Sequence, residues 1–191
     1  GVGASGNIVR STDNGSSFDN VTSPTANNLY GVTFGNNTFV AVGWEGIGGI
    51  VRSTDNGSSW DNATSPIEKS SVNNFIGVGF GNNTFVVVGY VGNIVKSTDN
   101  GSSFDNATSP TGNHLYGVGH GNNIFVAVGS SGNILRSMDN GTTWDNATSP
   151  TEQTHYGVTF GNDTFVAVGG TGSIVTSTDN GTTWDNATSG T

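Results

Sequence analysis

The chain has 191 residues, no cysteine, a net charge of −9 and only 10% charged residues. That length suits one core or one repeat array, and no disulfide can staple it. The five basic residues are too few for the cationic patch that nucleic acid or an anionic membrane surface requires. No apolar run reaches the roughly 18 residues of a membrane-spanning helix, so neither nucleic acid nor a membrane span is expected.

Read in order, the chain begins in mid-unit and shows no recognisable leader peptide. Gly1-Val2-Gly3 matches the end of a later apolar run, Ala127-Val128-Gly129. Ile8-Val9-Arg10 follows, then the eight residues Ser11 to Phe18, then Asp19-Asn20. Full units start near Leu29, Phe75, Leu115 and His155. The third of these is representative. Tyr116-Gly117-Val118-Gly119-His120 leads to the turn Gly121-Asn122-Asn123 and the apolar run Ile124 to Gly129. Asn133 to Ser137 then precedes the turn Asp139-Asn140-Gly141, and Trp144 to Thr148 closes the unit. These are four strands, A to D, of four to six residues with Gly and Asn between them. Strand B is apolar on both faces, as Phe39 to Val42 and Phe85 to Val88 repeat, and so must be covered on both sides. No 3.6-residue periodicity supports a helix.

The aspartates Asp13, Asp55, Asp99, Asp139 and Asp179 lie 42, 44, 40 and 40 residues apart, in the range of one four-stranded propeller blade. The expected fold is all-β: a β-propeller of four-stranded antiparallel blades, with four complete blades and an N-terminal half-blade on five blade positions. The boundaries fall at 1–28 for the half-blade, then 29–73, 74–113, 114–153 and 154–191. The half-blade lacks strand A and most of strand B. It could reflect a longer array, a two-stranded fifth blade closing the ring, or pairing with a neighbouring molecule.

The unit Ser-x-Asp-x-Gly-x-x-aromatic occurs at Ser11–Phe18, Ser53–Trp60, Ser97–Phe104, Ser137–Trp144 and Ser177–Trp184. It resembles the Asp box of the BNR/Asp-box β-propeller family, which includes sialidases, xyloglucanases, sorting-receptor ectodomains and a photosystem assembly factor. In physical terms Asp-Asn-Gly is a tight-turn signal, and the carboxylate can accept hydrogen bonds from its own turn. The five aspartates are therefore expected to be structural. A catalytic centre needs unlike residues converging, not one residue repeated.

The sialidase members use an arginine triad, a Tyr–Glu pair and a further acidic residue. Here Arg10, Arg52 and Arg136, with Lys96, occupy one repeat column and should radiate around a ring. The Arg-Ile-Pro motif of sialidases is absent. The only glutamates are Glu45, Glu68 and Glu152, with no evident partner for paired-carboxylate glycoside hydrolysis. His114, His120 and His155 fall in three columns, His120 where other units carry Phe, and no zinc spacing is seen. Neither enzymatic activity nor a metal or cofactor is expected.

Two further features point to function. Antiparallel connectivity puts the uniform A–B and C–D turns at one end of each blade and the variable B–C and D–A connections at the other. A recognition face at the variable end would carry Trp44, Glu45, Glu68, Lys69, Tyr90, His114 and Glu152, with exposed aromatics for stacking on a sugar. The second feature is thirteen Asn-x-Ser/Thr sites in three columns. They are Asn14, Asn56, Asn100, Asn140 and Asn180 in the Asp turn, Asn20, Asn62, Asn106, Asn146 and Asn186 on strand D, and Asn36, Asn82 and Asn162 in the A–B turn. Such a coat fits an extracellular or cell-surface protein. The expected function is a non-enzymatic, self-associating structural or assembly protein, an N-glycosylated subunit of a fibre or surface layer. The alternative is a lectin-like propeller using the variable face, with a sialidase-like glycosidase third.

Overall fold

The structure is a computed structural model that describes residues 1–44, 49–67 and 74–188. It is all-β. The half-blade is β1 (Ile8–Arg10) and β2 (Asp19–Val21). The next two blades are β3 (Leu29–Gly35), β4 (Thr38–Gly43), β5 (Ile50–Ser53) and β6 (Asp61–Asn62), then β7 (Phe75–Gly81), β8 (Thr84–Gly89), β9 (Ile94–Ser97) and β10 (Asp105–Asn106). The last two are β11 (Leu115–Gly121), β12 (Ile124–Gly129), β13 (Ile134–Ser137) and β14 (Asp145–Asn146), then β15 (His155–Gly161), β16 (Thr164–Gly169), β17 (Ile174–Ser177) and β18 (Asp185–Asn186). Each blade is an antiparallel meander in chain order.

Strand lengths differ from the sequence expectation at both edges of the blade. Strand A has seven residues and strand D two. Strand A gains length through a bulge. Its register against strand B slips between Leu115 and Gly117, and again at the equivalent positions of the other blades. Strand D is short because its end leaves its own sheet. Thr64, Thr108 and Thr148 instead make parallel bridges to Ser103, Thr143 and Thr183 in the next blade. The A–B turn is made by two residues of positive φ, such as Asn122 at 47° and Asn123 at 62°, a conformation that Asn tolerates and that matches strand twist.

Strands A of successive blades pack on one another, β3 on β7, β7 on β11 and β11 on β15. Strand A is therefore innermost and strand D outermost. Blades join through a knob and a hole. The rings of Phe80, His120 and Phe160 lie over Gly35, Gly81 and Gly121 of the preceding blade, where a Cβ would come within 2.1 Å of each ring. Farther out, Val40, Val86 and Val126 of strand B touch the turn glycines Gly101, Gly141 and Gly181 of the following blade. The turn aromatic completes the seal. Trp184 packs with Val126, Val128 and Ile134 of the preceding blade and with Phe165, Ala167 and Val175 of its own. Burying such side chains contributes about 1.5–3 kcal/mol each, which is why strand B is apolar on both faces.

The arc does not close on itself. A closing joint would place Val166 on Gly15, as Val126 sits on Gly181, but Gly15 has no such contact within 4 Å. A two-stranded fifth blade therefore does not complete the ring. Both ends of the arc present bare halves of the joint: Phe18 is 58% and Phe34 51% exposed at the first, and Val168 is 48% exposed at the second.

Candidate functional site

The five Asp turns are internally satisfied. In the second, the Ser53 hydroxyl donates to Asp55 Oδ1 at 2.8 Å and accepts the Gly57 N–H at 2.9 Å. The Ser59 N–H reaches Asp55 Oδ1 at 2.9 Å, the Ser59 hydroxyl reaches Oδ2 at 2.6 Å, and Trp60 Nε1 donates to the Gly57 carbonyl at 3.3 Å. The serine and carboxylate bonds recur around Asp99, Asp139 and Asp179, and the indole bond recurs at Trp144 and Trp184. Hydrogen bonding holds the carboxyls below the ordinary range. Asp13 lies at about 2, chiefly through the Ser17 hydroxyl, and Asp179 at about 2 through the Thr183 amide and hydroxyl. At Asp99, partial burial works upward and is outweighed by Ser103 and Ser97, leaving a value of about 2. Asp139 is shifted down in the same way, and the Ser59 hydroxyl leads the downward shift of Asp55. In each turn the carboxylate thus accepts hydrogen bonds on both oxygens from its own serine, threonine and backbone N–H groups, which is a structural role.

The cationic column is engaged between blades. Arg52 Nη1 donates to the Asn100 carbonyl at 3.3 Å, Lys96 Nζ to Thr142 Oγ1 at 2.7 Å, and Arg136 Nη1 to Thr182 Oγ1. Arg10 is the exception: its buried Nε has no hydrogen-bond partner. Among the described residues, no three metal-ligating side chains converge, and no helix is long and apolar enough to cross a membrane.

All thirteen sequon asparagines are exposed, but their columns differ in physics. Asn14, Asn56, Asn100, Asn140 and Asn180 have φ between 57° and 62°, and Asn36, Asn82 and Asn162 between 46° and 48°. Asn36 Nδ2 also donates to Asn100 Oδ1 at 3.2 Å and Asn82 Nδ2 to Asn140 Oδ1 at 3.0 Å, linking adjacent blades. Turn geometry alone accounts for asparagine in those two columns. It does not account for Asn20, Asn62, Asn106, Asn146 and Asn186, which lie on the extended outermost strand.

At the variable end the structure brings Tyr90 and His114 together. Their rings stack at 4.4 Å, and the Val91 N–H donates to His114 Nδ1 at 3.0 Å, which leaves Nε2 to carry the proton of the neutral ring. Two residues outside the expected set join them. Tyr116 meets Tyr90 edge-on at 6.4 Å and lies 5.5 Å from Tyr156. Burial, with Tyr90 and Tyr156 nearby, raises the Tyr116 phenol above its ordinary value. The sequence shows Tyr30, Tyr116 and Tyr156 in one column, but only the structure shows that this is the bulged position of strand A, and bulges re-aim side chains. Trp44 is exposed but belongs to none of the ring pairs among the described residues. Glu152 is exposed. Glu45, Glu68 and Lys69 lie outside the described residues.

No protein-family model matches the chain, and no curated protein matches it in sequence. Solved structures do match its shape. YCF48 bound to a D1 peptide superposes with a TM-score of 0.69 at 19% identity, over 96% of this chain and 61% of that one. YCF48 from Cyanidioschyzon merolae gives 0.68 at 21% identity, over 90% and 59%. An ancestral GH74 enzyme gives 0.64 at 19% identity, over 85% and 24%. The chain thus spans about three-fifths of the length of the YCF48 structures. At such identities the likeness shows the fold, a β-propeller, and nothing finer.

Proposed function

We propose that this chain is a non-enzymatic assembly protein of the Asp-box type whose copies join head to tail. One observation carries the reading. Phe18 and Val168, exposed at opposite ends of the arc, occupy the positions of Trp184 and Val128, which pack together inside the chain. Phe104 with Val42, and Trp144 with Val88, make the same joint. Trp60 with Val2 and Ile8 makes it a fourth time, and Phe18 of one copy set on Val166, Val168 and Ile174 of another would make it a fifth. Unlike patches meeting in this way form a heterologous contact, which gives rings or open filaments. The exposed asparagines of strand D fit a glycan-coated protein outside the cell, because a glycan on the outermost strand blocks sheet-edge aggregation. Sedimentation velocity over a concentration series tests the reading. The native chain should associate, and Val168→Lys and Phe18→Ala, both at exposed positions, should return it to monomer. A dispersed monomer at millimolar concentration would refute it.

A second reading is favoured by the Tyr90–His114–Tyr116–Tyr156 cluster, which offers ring faces of the kind that stack on a sugar. A glycan array should then give hits that Tyr90→Ala abolishes.

A further inference from the structure

One joint of the arc carries rings where the others do not. Tyr90, His114 and Tyr116 stand between the blade of β7–β10 and that of β11–β14. At the other joints His114 is replaced by Asn28, Asn74 or Thr154, so none of them has rings at all three positions. We propose that Tyr90, His114 and Tyr116, with the neighbouring Tyr156, form a binding site for a trimethylammonium group. The inference shares with the sugar reading only the premise that these rings hold a ligand, and it names a different class.

The turn chemistry supports the site. At the first joint Asn28 Oδ1 accepts the Ser5 N–H at 2.9 Å. His114 Nδ1 does the same for the Val91 N–H at 3.0 Å. Histidine thus keeps the structural bond of asparagine and adds a ring, which stacks on Tyr90 at 4.4 Å. The other rings stand across that stack. Tyr116 makes 87° with Tyr90 and 72° with His114, each at 6.4 Å, and Tyr156 is inclined 52° to Tyr116 at 5.5 Å. Steeply inclined rings are walls rather than a floor. A sugar stacks a flat face on a flat surface, whereas a trimethylammonium group is close to spherical and can touch several inclined rings. Each ring face carries negative potential. A cation gains from every ring centre within about 6 Å, a reach that these spacings allow for two rings at once.

Charge points the same way. Arg10, Arg52, Lys96 and Arg136 each immediately precede the serine of an Asp turn, at the opposite end of the blade. Among the described residues no Lys or Arg lies at the variable end, while Glu152 is exposed there. An incoming cation therefore meets no like charge from these residues, and a carboxylated sugar would find no basic partner among them. The net charge of −9 raises the concentration of cations around the protein. Tyr90, His114 and Tyr116 are half-buried. Burial already lifts the Tyr116 phenol above its ordinary value, the mark of a place where water screens charge weakly.

The test is a titration of tetramethylammonium chloride into the full chain at constant ionic strength, followed by the tyrosine ring proton shifts. The shifts should saturate at millimolar concentration or below. Tyr156 is 59% exposed, so Tyr156→Leu keeps its fold. That variant and Tyr116→Leu should each weaken binding about tenfold. Tyr116→Phe, which keeps the ring, should bind as the native chain does. Choline should bind about tenfold more tightly than its neutral carbon isostere. Choline and a peptide bearing trimethyllysine, compared in the same titration, distinguish a free small molecule from a modified protein as the source of the group. No saturation at millimolar concentration, equal affinity for choline and its isostere, or native affinity in both leucine variants would each overturn the proposal. Glycan-array hits lost in Tyr90→Ala, with no binding of tetramethylammonium, would leave the sugar reading standing and refute this one.

Discussion

Replacing His155 with leucine should stabilise the protein at neutral pH. His155 begins β15, is fully buried, and neither ring nitrogen has a hydrogen-bond partner. Its column is otherwise Leu29, Phe75 and Leu115. Leu115 packs among Val86, Val88, Phe125 and Leu135, so an apolar side chain of similar volume suits the position. A buried polar group without a partner costs about 1–3 kcal/mol. Removing the two orphaned nitrogens should therefore yield roughly 2 kcal/mol or more. At about 2–4 °C per kcal/mol for a chain of this size, Tm should rise by roughly 4–8 °C. The effect is pH-dependent. Burial lowers the His155 pKa below its ordinary 6.5, so the unfolded chain takes up the proton more readily. The stability lost to His155 therefore grows as pH falls below 6.5. The Tm difference between His155→Leu and wild type should be larger at pH 5.5 than at pH 7.5. His120, likewise lowered by burial, adds a slope common to both proteins. Calorimetric melts at the two pH values measure this directly. A lower Tm for His155→Leu at pH 7.5, or a difference that shrinks on acidification, would refute the reasoning.

Further expectations can be checked in the same melts. Val91 is exposed and β-branched yet held at φ 51°; since the left-handed region costs an ordinary residue about 1–2 kcal/mol, Val91→Asn should stabilise by about 1 kcal/mol. Ser97→Ala should cost about 1–3 kcal/mol, because it strands the buried Gly101 N–H and removes the 2.7 Å donor to Asp99. Asp99, at about 2, contributes stability that is complete above its ordinary 3.8 and lost as pH falls toward 2. Asp99→Asn should accordingly be less stable at pH 7 and lose less stability than wild type between pH 4 and pH 2.

Much of the blade was legible because its rules are local. Asp-Asn-Gly and Gly-Asn-Asn demand left-handed turns, and period and apolar runs place the strands between them. What sequence reasoning missed is set between blades. Nothing in Thr148 says that it leaves strand D to pair with Thr183, so strand D was expected longer than two residues. Gly35, Gly81 and Gly121 read as turn glycines, yet each also clears space for the next blade's ring. At the variable end, Tyr90 and His114 were anticipated from loop variation. Tyr116 and Tyr156 were not, because a bulge, invisible as composition, brings their column to that end. Val91 carries no sequence signal of a left-handed residue, and its φ of 51° departs from the helical values of the Tyr90–Gly92 turn in which it sits.

The most direct test of the open arc is a pair of identical substitutions, Gly121→Ala and Gly161→Ala, melted at a concentration where the chain is monomeric. At Gly121 the new Cβ would lie 2.1 Å from the Phe160 ring, while at Gly161 it would meet nothing within 4 Å. Gly121→Ala should cost about 1–3 kcal/mol, as overpacking does. Gly161→Ala should stay within about 0.5 kcal/mol of wild type, like a surface change. Equal destabilisation by the two substitutions would mean that the face of the last blade is covered, and the open arc would be wrong.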